Sequence, residues 1–324
     1  MRRALALAIA LSPSVAAADS NDLVLSRLST KVTANGMTSY IGDNLEFREL
    51  ASQLGVVLAP HLMTPADTLG FSGFQFTADL SETTIDQSAP YWRVLEGSSD
   101  PNSTTGGVNG PGMLRTAGFF VRKGLWFPVP SFEVGAGATH LIDSHIWTGQ
   151  LYTKIGLHEG YHDLPIPSVS ARGSVSRMMD QRDLDLTVAS FDIDVSKHVG
   201  VGGTWRFDPY AGWNVLFIIP RSDVVDPTQN QDPQSPGNAN AALNNFVFKD
   251  QANILRQRFF VGAKFQYYVF QLTIEAQFAL AGTSVDDRTG TSTMCTPGID
   301  TTNCDSKDGA KAQRTLAMSA GFDF

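Results

Sequence analysis

The sequence predicts an all-β chain that closes into a transmembrane antiparallel barrel of about ten strands, with twelve as the alternative count, after a short N-terminal helical and extended segment. Three observations predict it. From about residue 70 onward, apolar and polar residues alternate with a period of two. The alternating stretches run for roughly 9–14 residues, against a mode of about 5–6 in soluble sheets. The last stretch carries Leu316, Met318, Ala320, Phe322 and Phe324 on one face and stops at that terminal aromatic, while the chain begins with an export signal.

Residues 1–18 have the three parts of a secretory signal: Arg2 and Arg3, the apolar run Ala4 to Leu11, and the small-residue cleavage site Ala16-Ala17-Ala18. The run is too short to span a bilayer as a helix, and no later segment reaches the ~18 continuous apolar residues a membrane helix needs. A slightly negative mean hydropathy is compatible with a barrel, where only every second residue meets lipid. The formal net charge of −8 argues against a nucleic-acid partner. The 20 Phe, 5 Trp and 7 Tyr are enough to build aromatic girdles.

Residues 19–66 read differently and form a separate N-terminal unit, followed by the barrel over 67–324. Leu45, Phe47, Leu50, Ala51 and Leu54 mark a short amphipathic helix, with Asp43 or Asn44 as its cap and Gly55 as its end. An extended stretch through Val56, Val57 and Leu58 is expected next. Two placements are open: a plug in the lumen, or a segment at the periplasmic rim.

The ten strands follow in order. The first, near 70–82, sets Phe74, Phe76, Ala78 and Leu80 against Gln75, Thr77 and Asp79. The second (114–127), third (131–142), fourth (146–157) and fifth (167–178) repeat the pattern, with Arg122, Glu133, Lys154 and Arg172 on their polar faces. The sixth (184–197) slips phase between Leu184, Leu186, Val188 and Phe191, Ile193, Val195, which predicts a β-bulge near Ala189 or Ser190. The seventh (207–219), eighth (254–267), ninth (269–281) and the C-terminal tenth complete the set. Their polar faces carry Arg256, Arg258, Lys264, Glu275 and Asp323. Counting back from the last strand makes 83–112, 220–253 and 282–311 external loops and the turns near 128–130 and 267–269 periplasmic.

Alternation alone also suits a soluble sandwich. Strand length, aromatics near the strand ends (Trp126, Phe127, Trp205, Phe207, Tyr267, Tyr268, Phe324) and charged, glycine-rich polar faces favour the barrel. On the signal and the strand Leu316-Ala317-Met318-Ser319-Ala320-Gly321-Phe322-Asp323-Phe324, the chain resembles bacterial outer-membrane β-barrel proteins. The resemblance implies a place in the outer membrane of a Gram-negative-type bacterium, contact with its lipid and lipopolysaccharide, and insertion by the barrel-assembly machinery, with Phe322 and Phe324 in the assembly signal.

For chemistry, the inward row Asp79, Arg122, Glu133, Lys154, Arg172, Arg256, Arg258, Lys264 and Glu275 is expected to line the lumen. Mixed charges there suit either a water-filled path for small solutes or a network that pairs shut. Cys295 and Cys304 lie in a Gly/Thr/Asp-rich stretch and are expected to form a loop disulfide. His158-Glu159-Gly160-Tyr161-His162 matches H-E-x-x-H, but zinc binding by that motif needs a helix, and the pattern before it is a strand. It reads as a polar inner turn. His140, Asp143 and His145 share residue types with the outer rim of omptin proteases, with no matching motif, and read as a solvated turn. No catalytic residue, metal ligand or cofactor is assigned. The leading expectation is a non-enzymatic, narrow channel for small solutes. The alternatives are a closed barrel that binds a partner through its external loops, and a hydrolase of omptin or phospholipase type.

Overall fold

The computed structural model describes residues 19–324 except 35–36, 62, 99–109, 130, 161–165, 229–243, 287–292, 297–300 and 302. The export signal lies outside the described residues. The order is a 3₁₀ turn (Leu25–Leu28), a hairpin of β1 (Ser29–Ala34) and β2 (Met37–Gly42), helix α1 (Asn44–Leu58), and strands β3 (Phe74–Thr84), β4 (Met113–Leu125), β5 (Phe132–Leu141), β6 (Trp147–His158), β7 (Ser168–Met179), β8 (Leu184–Ser196), β9 (Val199–Val201), β10 (Trp205–Ser222), β11 (Ile254–Tyr267), β12 (Phe270–Ala279) and β13 (Gln313–Asp323).

Among the described residues ten strands, β3–β8 and β10–β13, pair antiparallel with their neighbours, and β13 closes on β3, so the barrel has no free edge. The short β9 adds to β10 at one rim. Each of the ten barrel strands matches one predicted from alternation; β1, β2 and β9 were not anticipated. The outward rows form the expected apolar belt, including Phe76, Leu80, Leu151, Phe217, Phe259, Val261, Ile274, Leu316 and Met318. The connections after β4, β6, β8 and β11 lie at one end, the inner rim, where Trp126, Phe127, Trp205, Tyr267, Tyr268 and Phe324 are exposed. The long connections after β3, β10 and β12 lie at the other end, the outer mouth, together with the short turns after β5 and β7. Phe322 and Phe324 stand on the lipid-facing side of the inner rim, their rings 6.3 Å apart.

Two expectations are corrected. The predicted bulge near Ala189 or Ser190 is absent: β8 keeps continuous register with both β7 and β10 through those residues. Leu184, Leu186 and Val188 point inward and are buried, whereas Phe191, Ile193 and Val195 point outward. The change of phase therefore reports a change of environment. Near the mouth, β8 faces an apolar filling, while its outward neighbours there are ionic, as in the pair Arg177–Asp185. The irregularity that does occur lies between Gly156 and His158, where β6 meets β7.

The second correction concerns α1. Asp43 caps it, accepting from the backbone of Leu45 and Glu46, but the helix runs through Gly55 and ends at Leu58. Val56, Val57 and Leu58 are helical, not extended. The predicted stop assumed a helix with a solvated face. The real helix is buried on nearly every side: its apolar face enters the core, and its polar side chains Arg48, Ser52 and Gln53 are hydrogen-bonded to the loops and the wall. Gly55 is needed because a Cβ there would lie 2.6 Å from Ile218 of β10. Phe47, Leu50, Leu54 and Val57 join Leu25, Leu28, Trp92, Val94, Leu184, Leu216, Ile218 and Phe248 in one core inside the outer half of the barrel. Burying each such side chain contributes about 1.5–3 kcal/mol.

Gly55→Val is expected to destabilise the folded protein by about 1–3 kcal/mol through overpacking, read as lost thermal stability by circular dichroism in detergent. Gly55→Val as stable as wild type would show that the helix does not press on β10.

Candidate functional site: a filled lumen and its outer cap

The chain between α1 and β3 descends through the barrel. At the mouth end, Ser176 of β7 donates to Leu58 O (2.9 Å) and Arg258 of β11 to Pro60 O (3.0 Å). Deeper, His61 Nδ1 lies 3.1 Å from Gln277 and Arg172 Nη1 reaches Thr64 Oγ1 at 3.0 Å. Nearer the inner rim, Lys154 donates to Pro65 O (3.1 Å) and Asp67 O (2.8 Å), and Glu133 accepts from Leu69 N (2.9 Å). Wall side chains thus hydrogen-bond the backbone of a strap, residues 59–61 and 63–69, which forms no ladder among the described residues.

All nine residues expected to line the lumen face inward, and eight of them are fully buried; Asp79 is half-buried beside a small cavity that also touches His61 and Met63. Arg172 pairs with Asp192 and, at 3.6 Å, with Asp194, which also accepts from Ser170. Lys154 sits 3.5 Å from Glu133 and Lys264 2.7 Å from Asp323. Arg122 donates to Gln75 and lies over the rings of Phe120 and Tyr152. Arg258 donates to Asn214 (3.1 Å). Glu275 accepts from Tyr210 (2.6 Å) and Gln277. Arg256 ties the wall to α1 through Ser52 (2.9 Å), which in turn donates to Asp308 (2.6 Å).

Four inward aromatics complete the filling. Each lies on a glycine directly across the strand pair: Phe120 on Gly137, Tyr152 on Gly135, Tyr210 on Gly262 and Phe260 on Gly212. A Cβ on Gly135 would stand 2.2 Å from the Tyr152 ring, and one on Gly262 2.5 Å from Tyr210. Tyr152 donates to Glu133 as Tyr210 does to Glu275, so the two sides of the lumen repeat one arrangement. These rings, and Asp192 and Asp194, escaped the sequence reading. Parity was the available signal, because Tyr152 shares its face with Gln150 and Lys154, and Asp192 and Asp194 alternate with Phe191, Ile193 and Val195.

The outer cap joins the N-terminal residues to the loops. Asn21 binds Asp143 O and Ile142 O, both at 2.8 Å. Leu23 bridges to Leu95, and Arg27 donates to Leu95 O (2.5 Å) and pairs with Glu96 (2.7 Å). Trp92 donates to Gln53 of α1 (2.9 Å), and Phe47 stacks on Phe248 at 4.4 Å. Cys295 and Cys304 form the expected disulfide. Asp22 accepts from the His145 backbone N and from Nδ1, each at 2.7 Å. Those bonds and the Asp22 charge hold His145 above its ordinary value. Burial pushes the Asp22 carboxyl up, but its bonds from His145 and Asp19 outweigh this and hold it below the usual carboxylate range.

The motif residues are engaged locally. His158 ends β6, Glu159 accepts from Thr68 (2.5 Å), and Gly160 N donates to Ser168 (2.9 Å); His162 lies outside the described residues. His140 lies 2.8 Å from Ser144 O and against Trp147, on the turn that holds Asp143 and His145.

No protein-family model and no curated protein matches the chain. Among solved structures it is similar to Ail, the attachment invasion locus protein of Yersinia pestis (6% identity, 78% of this chain and 99% of that one, TM-score 0.27). It is also similar to the outer membrane protease OmpT of Escherichia coli (10%, 79% and 95%, TM-score 0.33) and to Neisserial surface protein A (9%, 77% and 95%, TM-score 0.26). Likeness at this level says nothing of activity. The fold rests on the closed sheet, the outward apolar belt and the aromatic inner rim. The chain is an outer-membrane-type β-barrel. Residues 19–34 lie at the same end of the barrel as its long connections.

Arg172→Met should destabilise the protein by about 3–5 kcal/mol by stranding Asp192 and Asp194 in the interior, measured by denaturant unfolding in detergent; a neutral change would show that the lumen is wet. A second expectation concerns Glu49 on α1. Burial and the charges of Asp308, Glu46 and Asp43 push its carboxyl up to about 7. The folded state therefore holds a proton that the unfolded chain releases near 4.5. Stability is full below that value and falls as pH rises toward 7. Glu49→Gln should match wild type in melting temperature near pH 4 and exceed it near pH 8; equal temperatures at both would refute the buried carboxyl.

Proposed function

We propose that this protein is a closed outer-membrane barrel that acts at its outer surface, binding another macromolecule through a cap built from the N-terminal segment and the external loops. One observation carries the reading. Strap, paired charges and four aromatic rings occupy most of the lumen, leaving a polar cavity of about 100 Å³ between strap and wall near Asp67, Lys154 and Lys264, while α1 packs an apolar core across the mouth. An open solute path needs a hydrated lumen, and a ten-stranded barrel has little width to spare between side-chain-filled eight-stranded barrels and open porins.

A second reading, a narrow gated channel for small solutes, has one observation in its favour. The strap is held by side-chain hydrogen bonds rather than by strand pairing, so it can leave without opening the barrel wall. Planar-bilayer recording separates the two. The folded full-length protein is expected to show no unitary conductance across ±100 mV. Discrete, reproducible steps from the same preparation would overturn the closed reading and favour the channel.

A further inference from the structure

We propose that Asp19, Asp22 and His145 form a site for a divalent transition-metal ion of the zinc class, at the seam where the N-terminal segment meets the turn between β5 and β6. Their ligating atoms all lie within 4.8 Å of one another. His145 Nδ1 is 2.7 Å from Asp22 Oδ2 and 3.9 Å from Asp19 Oδ2. A tetrahedral zinc ion with donors at its usual 2.0–2.2 Å holds them about 3.3 Å apart. The observed separations bracket that value, so the ion enters by opening one hydrogen bond and closing one gap, each by about 0.6 Å.

The donor set suits the ion: imidazole selects zinc, copper or nickel over magnesium and calcium, and two carboxylates balance the charge. The frame is preorganised by bonds outside the cluster. Asn21, between the two aspartates, clamps to Ile142 O and Asp143 O. Ser144 Oγ donates to Leu141 O and accepts from Ile146 N, which fixes the turn that carries His145. Asp19 N donates to Asp22 Oδ2 at 2.9 Å, which holds the two aspartates together. The cluster is open to solvent at the mouth, so the ion has an entry path and room for water as a remaining ligand. Bound there, it ties the N-terminal segment to a turn whose His145 lies 123 residues beyond Asp22.

The test is calorimetric titration of zinc chloride into the folded, processed protein in detergent near pH 7.5, with folding checked by heat-dependent gel mobility. One zinc per chain is expected, with affinity weakened at least tenfold in His145→Ala and in Asp22→Asn. In parallel, zinc added to the wild type should shift the His145 ring resonance, a readout that needs no variant. Absence of binding in the wild type would overturn the proposal. So would undiminished affinity in His145→Ala, or zinc binding that leaves the His145 resonance in place.

Discussion

Everything in this fold follows from one constraint: in hydrocarbon, each peptide N–H and C=O must find a partner within the protein. The sheet meets it by closing, β13 onto β3. Closure then creates a second problem, because ten inward rows converge on a narrow interior and several carry charges. Those charges are accommodated by pairing, by aromatic faces, and by the backbone carbonyls of a strap that pairs with no strand among the described residues. Strap and wall therefore need each other. Arg172, Lys154 and Arg258 complete the strap's bonding, and the strap gives their side chains something to bind.

Along its axis the barrel has two interiors. From the inner rim to the middle it is polar and ionic; toward the mouth it is an apolar core of the kind found in soluble domains, organised on α1. The outward surface changes in step, from Phe, Leu and Ile in the belt to the ion pairs Arg177–Asp185 and Arg115–Glu82 near the mouth. The strands run past the lipid, and the pattern of each face inverts where they leave it.

That inversion explains what the sequence revealed and what it did not. The ten strands and their lipid-facing rows were readable because a period of two in long stretches has few alternative meanings. The C-terminal aromatic strand and the loop disulfide were readable for similar reasons. The bulge in β8 was misread because Leu184, Leu186 and Val188 were judged on the assumption that apolar means outward. The end of α1 was misread because Gly55 is a helix-end signal in water and a packing solution against Ile218 here. The glycine–aromatic pairs depend on cross-strand register, which a single sequence does not display. The contact of Asp22 with His145 joins positions too distant for any local pattern to reveal.

The most direct test of the filled barrel is thiol accessibility in the folded full-length protein. Thr77 is inward and fully buried, whereas Lys31 is exposed on the outer hairpin. With a cysteine at either position, a small hydrophilic maleimide should label Lys31→Cys within minutes and leave Thr77→Cys unlabelled until the protein is denatured. Labelling of Thr77→Cys at the rate of Lys31→Cys would mean that water runs through the lumen, and would contradict the account.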